Sequence, residues 1–250
     1  MKLRNKEILV FGGGSGIGKA IALKLLAEGA KVVIAGRNIE KLQKVKEEAK
    51  NENIFILEAD IANISMHEAY FAQAEKLMGA LTGFVNSAAL STQNIGRGYE
   101  PWDITEEEWD NLSSVNFKGA YFVMRNEINY LKENNIAGNI LNIASNAPCM
   151  DVRGLYGASK QAMIRWTRAI GKRCGRDGIV LNGVAPGCTY TDFISDSVKN
   201  IDEAFPRHAI GRLIYPEEIA ETAYYLMSEE AKIVCGHTVI ADAGDECAVL

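Results

Sequence analysis

Short apolar runs rich in Val and Ile recur along the chain, in EILVF, KVVIA, NIFIL, LTGFVN, GNILNIA, GIVLNGVA and HTVIAD. Runs of this length predict strands buried on both faces. Between them, GKAIALKLLAEG, IEKLQKVKEEAK, EAYFAQAEKLM, EEWDNLSSVNFKGAYFVMRNEINYL and YGASKQAMIRWTRAIGKRC carry apolar positions at helical spacing. Strand and helix therefore alternate. Right-handed crossovers turn that alternation into an α/β fold of three layers, a doubly wound and mostly parallel sheet with helices on both faces. Ligands are then expected beyond the carboxyl ends of the strands. No repeat, low-complexity tract or Pro/Gly linker interrupts the pattern, so residues 1–250 read as a single domain.

The stretch FGGGSGIGKA, Phe11 to Ala20, joins the first strand to the first helix. Two phosphate loops are legible in it. From Gly13 it is G-x-x-x-x-G-K, but the hydroxyl that would hold Mg²⁺ is replaced by Ala20, whose methyl cannot coordinate a hard cation. Lys19 then reads as a solvated helix residue. From Gly12 it is G-x-x-x-G-x-G, a dinucleotide cradle in which glycines at 12, 16 and 18 permit a tight turn and close backbone approach to pyrophosphate. Taken alone the glycines could equally be turn residues. About 20 residues on, where a dinucleotide site reads the adenosine ribose, the sequence is IAGRN. An acidic residue there would bind a ribose 2′-hydroxyl; Gly36 leaves room, and the Arg37 guanidinium can pair with a 2′-phosphate. The position favours NADP over NAD, although an isolated Arg after a strand is commonly a surface residue.

Composition narrows the partners. The formal charge of −5 provides no basic field for nucleic acid or anionic lipid, so a small molecule is the expected ligand. The cysteines (Cys149, Cys174, Cys188, Cys235 and Cys247) are odd in number and widely spaced, which suggests neither a disulfide framework nor a zinc site. His67, His208 and His237 are isolated and read as surface or structural residues, so no metal is expected. The N-terminal run ends in glycines without a small-residue cleavage site, and no segment approaches membrane-spanning length. A reduced, cytoplasmic protein is the expectation.

YGASK places Tyr156 and Lys160 four residues apart at the start of an amphipathic stretch, hence on one face of a helix. A tyrosine with its ordinary pKa of about 10 exchanges protons poorly at neutral pH, and a neighbouring ammonium favours the phenolate. Such a pair is also compatible with an ordinary surface contact. Ser145, in NIASNAP, falls just past a strand, where its hydroxyl could meet a substrate oxygen or cap a turn.

In their order along the chain these motifs resemble the short-chain dehydrogenase/reductase family, in its compact form of about 250 residues. The likeness runs through GGGSGIG, Asp60 in EADI, NSAA from Asn86, Asn116 in VNFKGAYF, Ser145, YGASK, APGCTYT and GRLIYPEEIA. It implies a Rossmann-like fold and hydride transfer between a nicotinamide, NADP with NAD as the alternative, and an alcohol or ketone. It further implies that Tyr156 is the acid/base, that Lys160 holds the nicotinamide ribose and lowers the tyrosine pKa, that Ser145 orients the carbonyl, and that Asn116 supports a water-linked proton relay. Gly12, Ser15, Ile17 and Gly18 would line the phosphates and the nicotinamide side. Asp60 would meet the adenine, Asn86 the adenosine ribose and Thr191 the carboxamide, with further contacts implied at Gly16, Ile61, Pro186, Gly187 and Thr189. A homotetramer, or a homodimer, is the implied assembly, with helices such as 106 to 131 and 156 to 174 between subunits.

Departures from the family pattern are specific. Phe11 stands where a Thr is usual, and Ser87 and Ala89 replace the usual Asn and Gly of the NSAA segment; the changes touch the same loop-to-strand contact. Ser145 and Tyr156 are eleven apart, a shorter interval than is common, and Ala243 interrupts the usual DGG. Substrate loops are expected around residues 90–104, 146–155 and 188–210. Trp102, Met150, Tyr190 and Phe193 are candidates for an apolar wall, and Arg97 and Arg153 for an anionic group. That mix suits a sugar-like polyol, a hydroxy acid or a steroid alike. The rival class is a non-enzymatic dinucleotide-binding protein, which retention of Asn116, Ser145, Tyr156 and Lys160 disfavours.

Overall fold

A computed structural model of the chain describes residues 2–91, 102–147, 154–191 and 205–245. The apolar runs form strands β1 (Glu7–Phe11), β2 (Lys31–Gly36), β3 (Ile54–Glu58), β4 (Gly83–Asn86), β5 (Asn139–Ile143), β6 (Val180–Pro186) and β7 (Thr238–Ala241). They lie in one sheet in the order β3-β2-β1-β4-β5-β6-β7, parallel throughout. Winding reverses between β1 and β4, and the strand ends on either side of that point leave a crevice for a ligand.

The helices are α1 (Gly16–Ala27), α2 (Ile39–Ala49), α3 (His67–Met78), α4 (Glu106–Ser113), α5 (Ala120–Glu133), α6 (Gly154–Cys174) and α7 (Pro216–Met227). Alternation along β1 feeds two cores. Ile8 and Val10 pack with Ile21 and Leu25 of α1 and Ile219 of α7, while Leu9 and Phe11 pack with Phe71 and Met78 of α3 and Val123 and Met124 of α5.

Two expectations need correction, and one element was missed. Not every strand is buried on both faces: β3 and β7 are only partly covered, because they are the two edges of the sheet. The stretch from 106 to 131 is not one regular α-helix, since a π-helical turn, Ser114–Gly119, separates α4 from α5. The extra residue in that turn accompanies the close approach of Gly119, where an added Cβ would lie 2.8 Å from the Ile61 carbonyl oxygen. Helix α7 went unpredicted, although Pro216 at its first turn followed by Glu217 and Glu218 is a start signature.

Candidate active site

The carboxyl ends of β1, β2, β4, β5 and β6 surround a cavity of about 680 Å³. The glycine loop forms its floor. Gly12 has φ +78°, and a Cβ there would lie 2.7 Å from the backbone of Ser87 and Ala88; a Cβ on Gly18 would strike the Gly12 carbonyl oxygen. Gly16, with φ +51°, faces the methyl of Thr191. The loop is therefore a backbone-lined cradle that side chains would fill, opening onto the N-terminus of α1.

Phe11 does not loosen it. The ring is buried in the core, and main chain carries the ties on both sides: the Ser87 amide after β4 donates to the Phe11 carbonyl at 3.0 Å, and the Gly12 amide donates to the Ala35 carbonyl of β2 at 2.8 Å. Ala20 is packed in the core, and Lys19 pairs with Glu48 of α2 at 2.6 Å, so neither serves a triphosphate.

At the adenosine end Gly36, Arg37, Asn38 and Lys41 line the cavity. The Asn38 side chain caps α2 by accepting from the Lys41 amide at 2.8 Å, which fixes Lys41 in the first turn beside Arg37. Lys41 escaped the sequence reading, yet its spacing of four from Arg37 was a usable signal. Asp60 and Ile61 also line the cavity, with Asp60 Oδ1 accepting from the Ala62 amide at 2.9 Å.

At the other end Ser145, Tyr156 and Lys160 converge on the cavity with Pro186, Gly187, Thr189 and Thr191. Lys160 is buried, donates from Nζ to the Ile143 carbonyl at 2.9 Å, and lies 5.7 Å from the Tyr156 ring centroid. Burial lowers its pKa to about 8. Ser145 Oγ accepts from the Ala147 amide at 3.0 Å, so it caps its own turn while facing the cavity.

Two expected site residues lie behind the wall. Asn116 is buried: its Oδ1 accepts from the Leu90 amide at 2.9 Å, and its Nδ2 donates to the Leu90 carbonyl and to Ser159 Oγ at 2.9 and 3.2 Å. Ser159 Oγ in turn donates to the Tyr156 carbonyl at 2.7 Å, so the π-turn braces the start of α6. Asn86 directs its side chain into the interior, leaving Ser87 to Ser91 to line the cavity. Of the proposed apolar wall, Trp102 is 78% exposed and Tyr190 is absent from the lining. Met150, Phe193, Arg97 and Arg153 lie outside the described residues. Cys174, Cys188 and Cys235 form no disulfide, while Cys149 and Cys247 also lie outside the described residues. Among the described residues no His, Cys, Asp or Glu group could hold a metal, and no helix is long and apolar enough to cross a membrane.

A glycine cradle at the switch point of a parallel sheet defines a dinucleotide-binding protein, and a Tyr/Lys pair in the same cavity adds proton-transfer groups. Residues 12–245 match the family model described as enoyl-(acyl carrier protein) reductase. Levodione reductase of Leifsonia aquatica is 29% identical, over 99% of this chain and 96% of its own length. A 2,5-dichloro-2,5-cyclohexadiene-1,4-diol dehydrogenase of Sphingobium indicum is 31% identical, over 97% of each. Among solved structures, 3-ketoacyl-(acyl-carrier-protein) reductase from Brucella melitensis, complexed with NADH, superposes with a TM-score of 0.86 at 28% identity, covering 97% of this chain and 98% of that one. The chain belongs to the short-chain dehydrogenase/reductase family. It is an NAD(P)-dependent oxidoreductase.

Proposed function

We propose that this enzyme interconverts an alcohol and a ketone with NADP(H), using Tyr156 as the acid/base. The observation that carries this reading is that Tyr156, Lys160 and Ser145 open onto the same cavity as the glycine cradle. The backbone at Gly12, Gly16 and Gly18 suits a pyrophosphate, and Arg37 with Lys41 suits a ribose 2′-phosphate; Gly36 leaves space beside them. When bound, the nicotinamide supplies hydride-transfer chemistry.

The protein's own work is proton transfer and placement. Tyr156 gives its phenolic proton to the carbonyl oxygen as negative charge develops there, and takes it back in the oxidative direction. Ser145 donates a hydrogen bond to the same oxygen. The Lys160 ammonium favours the phenolate of Tyr156 and binds the nicotinamide ribose, while the Ile143 carbonyl holds the amine in place. Asn116 keeps Leu90 and Ser159 in register and supports the water-linked return of a proton to Tyr156. Thr191 holds the carboxamide, with Pro186, Gly187 and Thr189 shaping that end. Substrate loops at 90–104, 146–155 and 188–210 complete a single domain of residues 1–250.

We propose a homotetramer, in the cytoplasm, and two faces support the assembly. One carries Trp109, Tyr121 and Trp166 on α4, α5 and α6, with Tyr121 and Trp166 rings 5.2 Å apart. The other is the β7 edge with Ile240 and the exposed Tyr225 of α7. Two different two-fold contacts close a tetramer, and one alone gives a dimer. Light scattering that finds only monomer removes this assembly.

The reading is tested by titrating wild type and Arg37→Ala with NADPH and NADH through nicotinamide fluorescence, then screening ketones with the tighter cofactor. Tighter NADPH binding that is lost in the variant is the expected result. Binding of neither cofactor at micromolar concentration overturns it.

A further inference from the structure

Strand β4 ends at Asn86, immediately before the backbone that closes over Gly12. The Asn86 side chain turns inward, where Nδ2 donates to Glu127 Oε2 of α5 at 2.9 Å and to Asn142 Oδ1 of β5 at 3.0 Å. Asn142 Nδ2 continues to Thr167 Oγ1 of α6 at 2.9 Å. Glu127 is fully buried, and no step described above uses it.

Two acceptors in this network have no donor: Glu127 Oε1 and Asn86 Oδ1. They belong to side chains already joined by one hydrogen bond. A carboxylate only accepts, so an anionic Glu127 leaves both oxygens unmatched. A carboxylic acid supplies one O–H. Placed on Oε1, that hydrogen donates to Asn86 Oδ1 while Asn86 Nδ2 donates to Oε2, and both orphans are satisfied at once.

We propose that Glu127 retains a proton in the native fold, and that the resulting two-bond acid–amide pair with Asn86 positions the end of β4 against the glycine cradle. Glu127 is thus a positioning residue for the cofactor site rather than a catalytic one. A cation that could hold it ionised is missing from the surrounding elements as described. β4 and β5 carry no titratable side chain. On α5, Arg125 is bound to Asn126, and Tyr130 accepts from the Leu81 amide. On α3, His67 is bound to the Ile61 carbonyl. On α6, Lys160 is two turns from Thr167 and donates to Ile143. Burial accordingly pushes the Glu127 carboxyl up to about 8. Above that pH the pair loses its donor, and two oxygens oppose each other beside the cradle.

The inference rests on the nicotinamide reading for one arm of its test and stands alone on the other. Infrared spectroscopy of the wild-type chain at neutral pH is expected to show the C=O stretch of a buried protonated carboxyl. That band should fade as pH rises through about 8 and be missing from Glu127→Gln. In the binding arm, NADPH affinity of the wild type is expected to fall by up to about tenfold per pH unit above that point. Glu127→Gln keeps both bonds through its amide, so its neutral-pH affinity should stay within about twofold and its profile should lose this limb. Lys160 titrates in both proteins, and the comparison between them cancels it. Absence of the carboxyl band overturns the proton, a measurement that needs no variant to fold. Parallel pH profiles overturn the positioning role. Failure of both proteins to bind either cofactor at every pH overturns that role together with the cofactor reading, and the infrared band still decides the proton.

Discussion

The Lys160 ammonium and the Tyr156 ring stand 5.7 Å apart on one face of α6, with the amine anchored to the Ile143 carbonyl at the end of β5. The amine end of the pair is thereby tied to the sheet. Removal of the phenol should uncouple chemistry from binding. Tyr156→Phe is expected to reduce turnover by about 10²–10⁴ while leaving NADPH affinity within about twofold. Lys160→Met should weaken both, because the amine serves the phenol and the ribose. Turnover by Tyr156→Phe within tenfold of wild type would remove Tyr156 as the acid/base.

Lys160 also makes the site costly to fold. Its pKa is lowered to about 8 by burial, so between that value and the ordinary one the unfolded chain holds a proton that the folded chain has released. Its contribution to stability is therefore complete above about pH 10.5 and is lost as pH falls through about 8. Relative to wild type, Lys160→Met should be more favourable at neutral pH than at pH 10, as read by denaturant midpoints at the two values. The sign of the change with pH is the test, since the variant also leaves the Ile143 carbonyl without its donor. A difference independent of pH would show that the amine is not desolvated.

Arg37 and Lys41 border the same end of the cavity from the last turn of the β2 loop and the first turn of α2. A charge-assisted bond to phosphate contributes about 1.5–3 kcal/mol, so Arg37→Ala should weaken NADPH binding by about tenfold or more and Lys41→Ala by about tenfold. NADH, which lacks the 2′-phosphate, should bind both variants as it binds wild type. An unchanged NADPH-to-NADH ratio in both would place cofactor choice elsewhere.

How much of this was legible in the sequence depended on whether one residue type or a three-dimensional encounter carried the information. The strands were readable because parallel strands are buried runs, and the cradle because only glycine tolerates the Gly12 conformation and the approach of Ala88. Tyr156 and Lys160 were readable because helical spacing alone puts them on one face. Asn86 was assigned to the cavity by resemblance, whereas its side chain faces Glu127, a contact between residues 41 positions apart that no local pattern announces. Trp102 looked like a wall residue by type and is exposed, because aromatic character does not fix where a loop sends its side chain. The π-turn at Ser114–Gly119 keeps a helical spacing of apolar residues and so hides within a helix pattern.

His67 offers a prediction on the acidic side. Its Nε2 is 2.8 Å from the Ile61 carbonyl, which can only accept, so that nitrogen carries the hydrogen. Nδ1 is then an acceptor for Asn126 Nδ2 at 3.3 Å, and Asn126 cannot turn its oxygen inward because Arg125 holds Oδ1 at 2.9 and 3.1 Å. A second proton on the ring would cost the Asn126 bond and place a charge in a buried site. Burial lowers the His67 pKa, against smaller opposing effects of hydrogen bonds to the Ile61 and Phe122 backbone and of Asp60. The sign follows: the unfolded chain takes up a proton that the fold refuses, so the stabilising contribution is complete above about 6.5 and is lost as pH falls toward the lowered value. Ile61 borders the cavity beside Asp60, which couples this loss to the adenosine wall. Wild type should therefore lose thermal stability and NADPH affinity together on acidification below about pH 6. His67→Gln, which can donate to Ile61 but cannot titrate, should flatten both limbs. Parallel acid limbs in the two proteins would assign the acid sensitivity to groups other than His67.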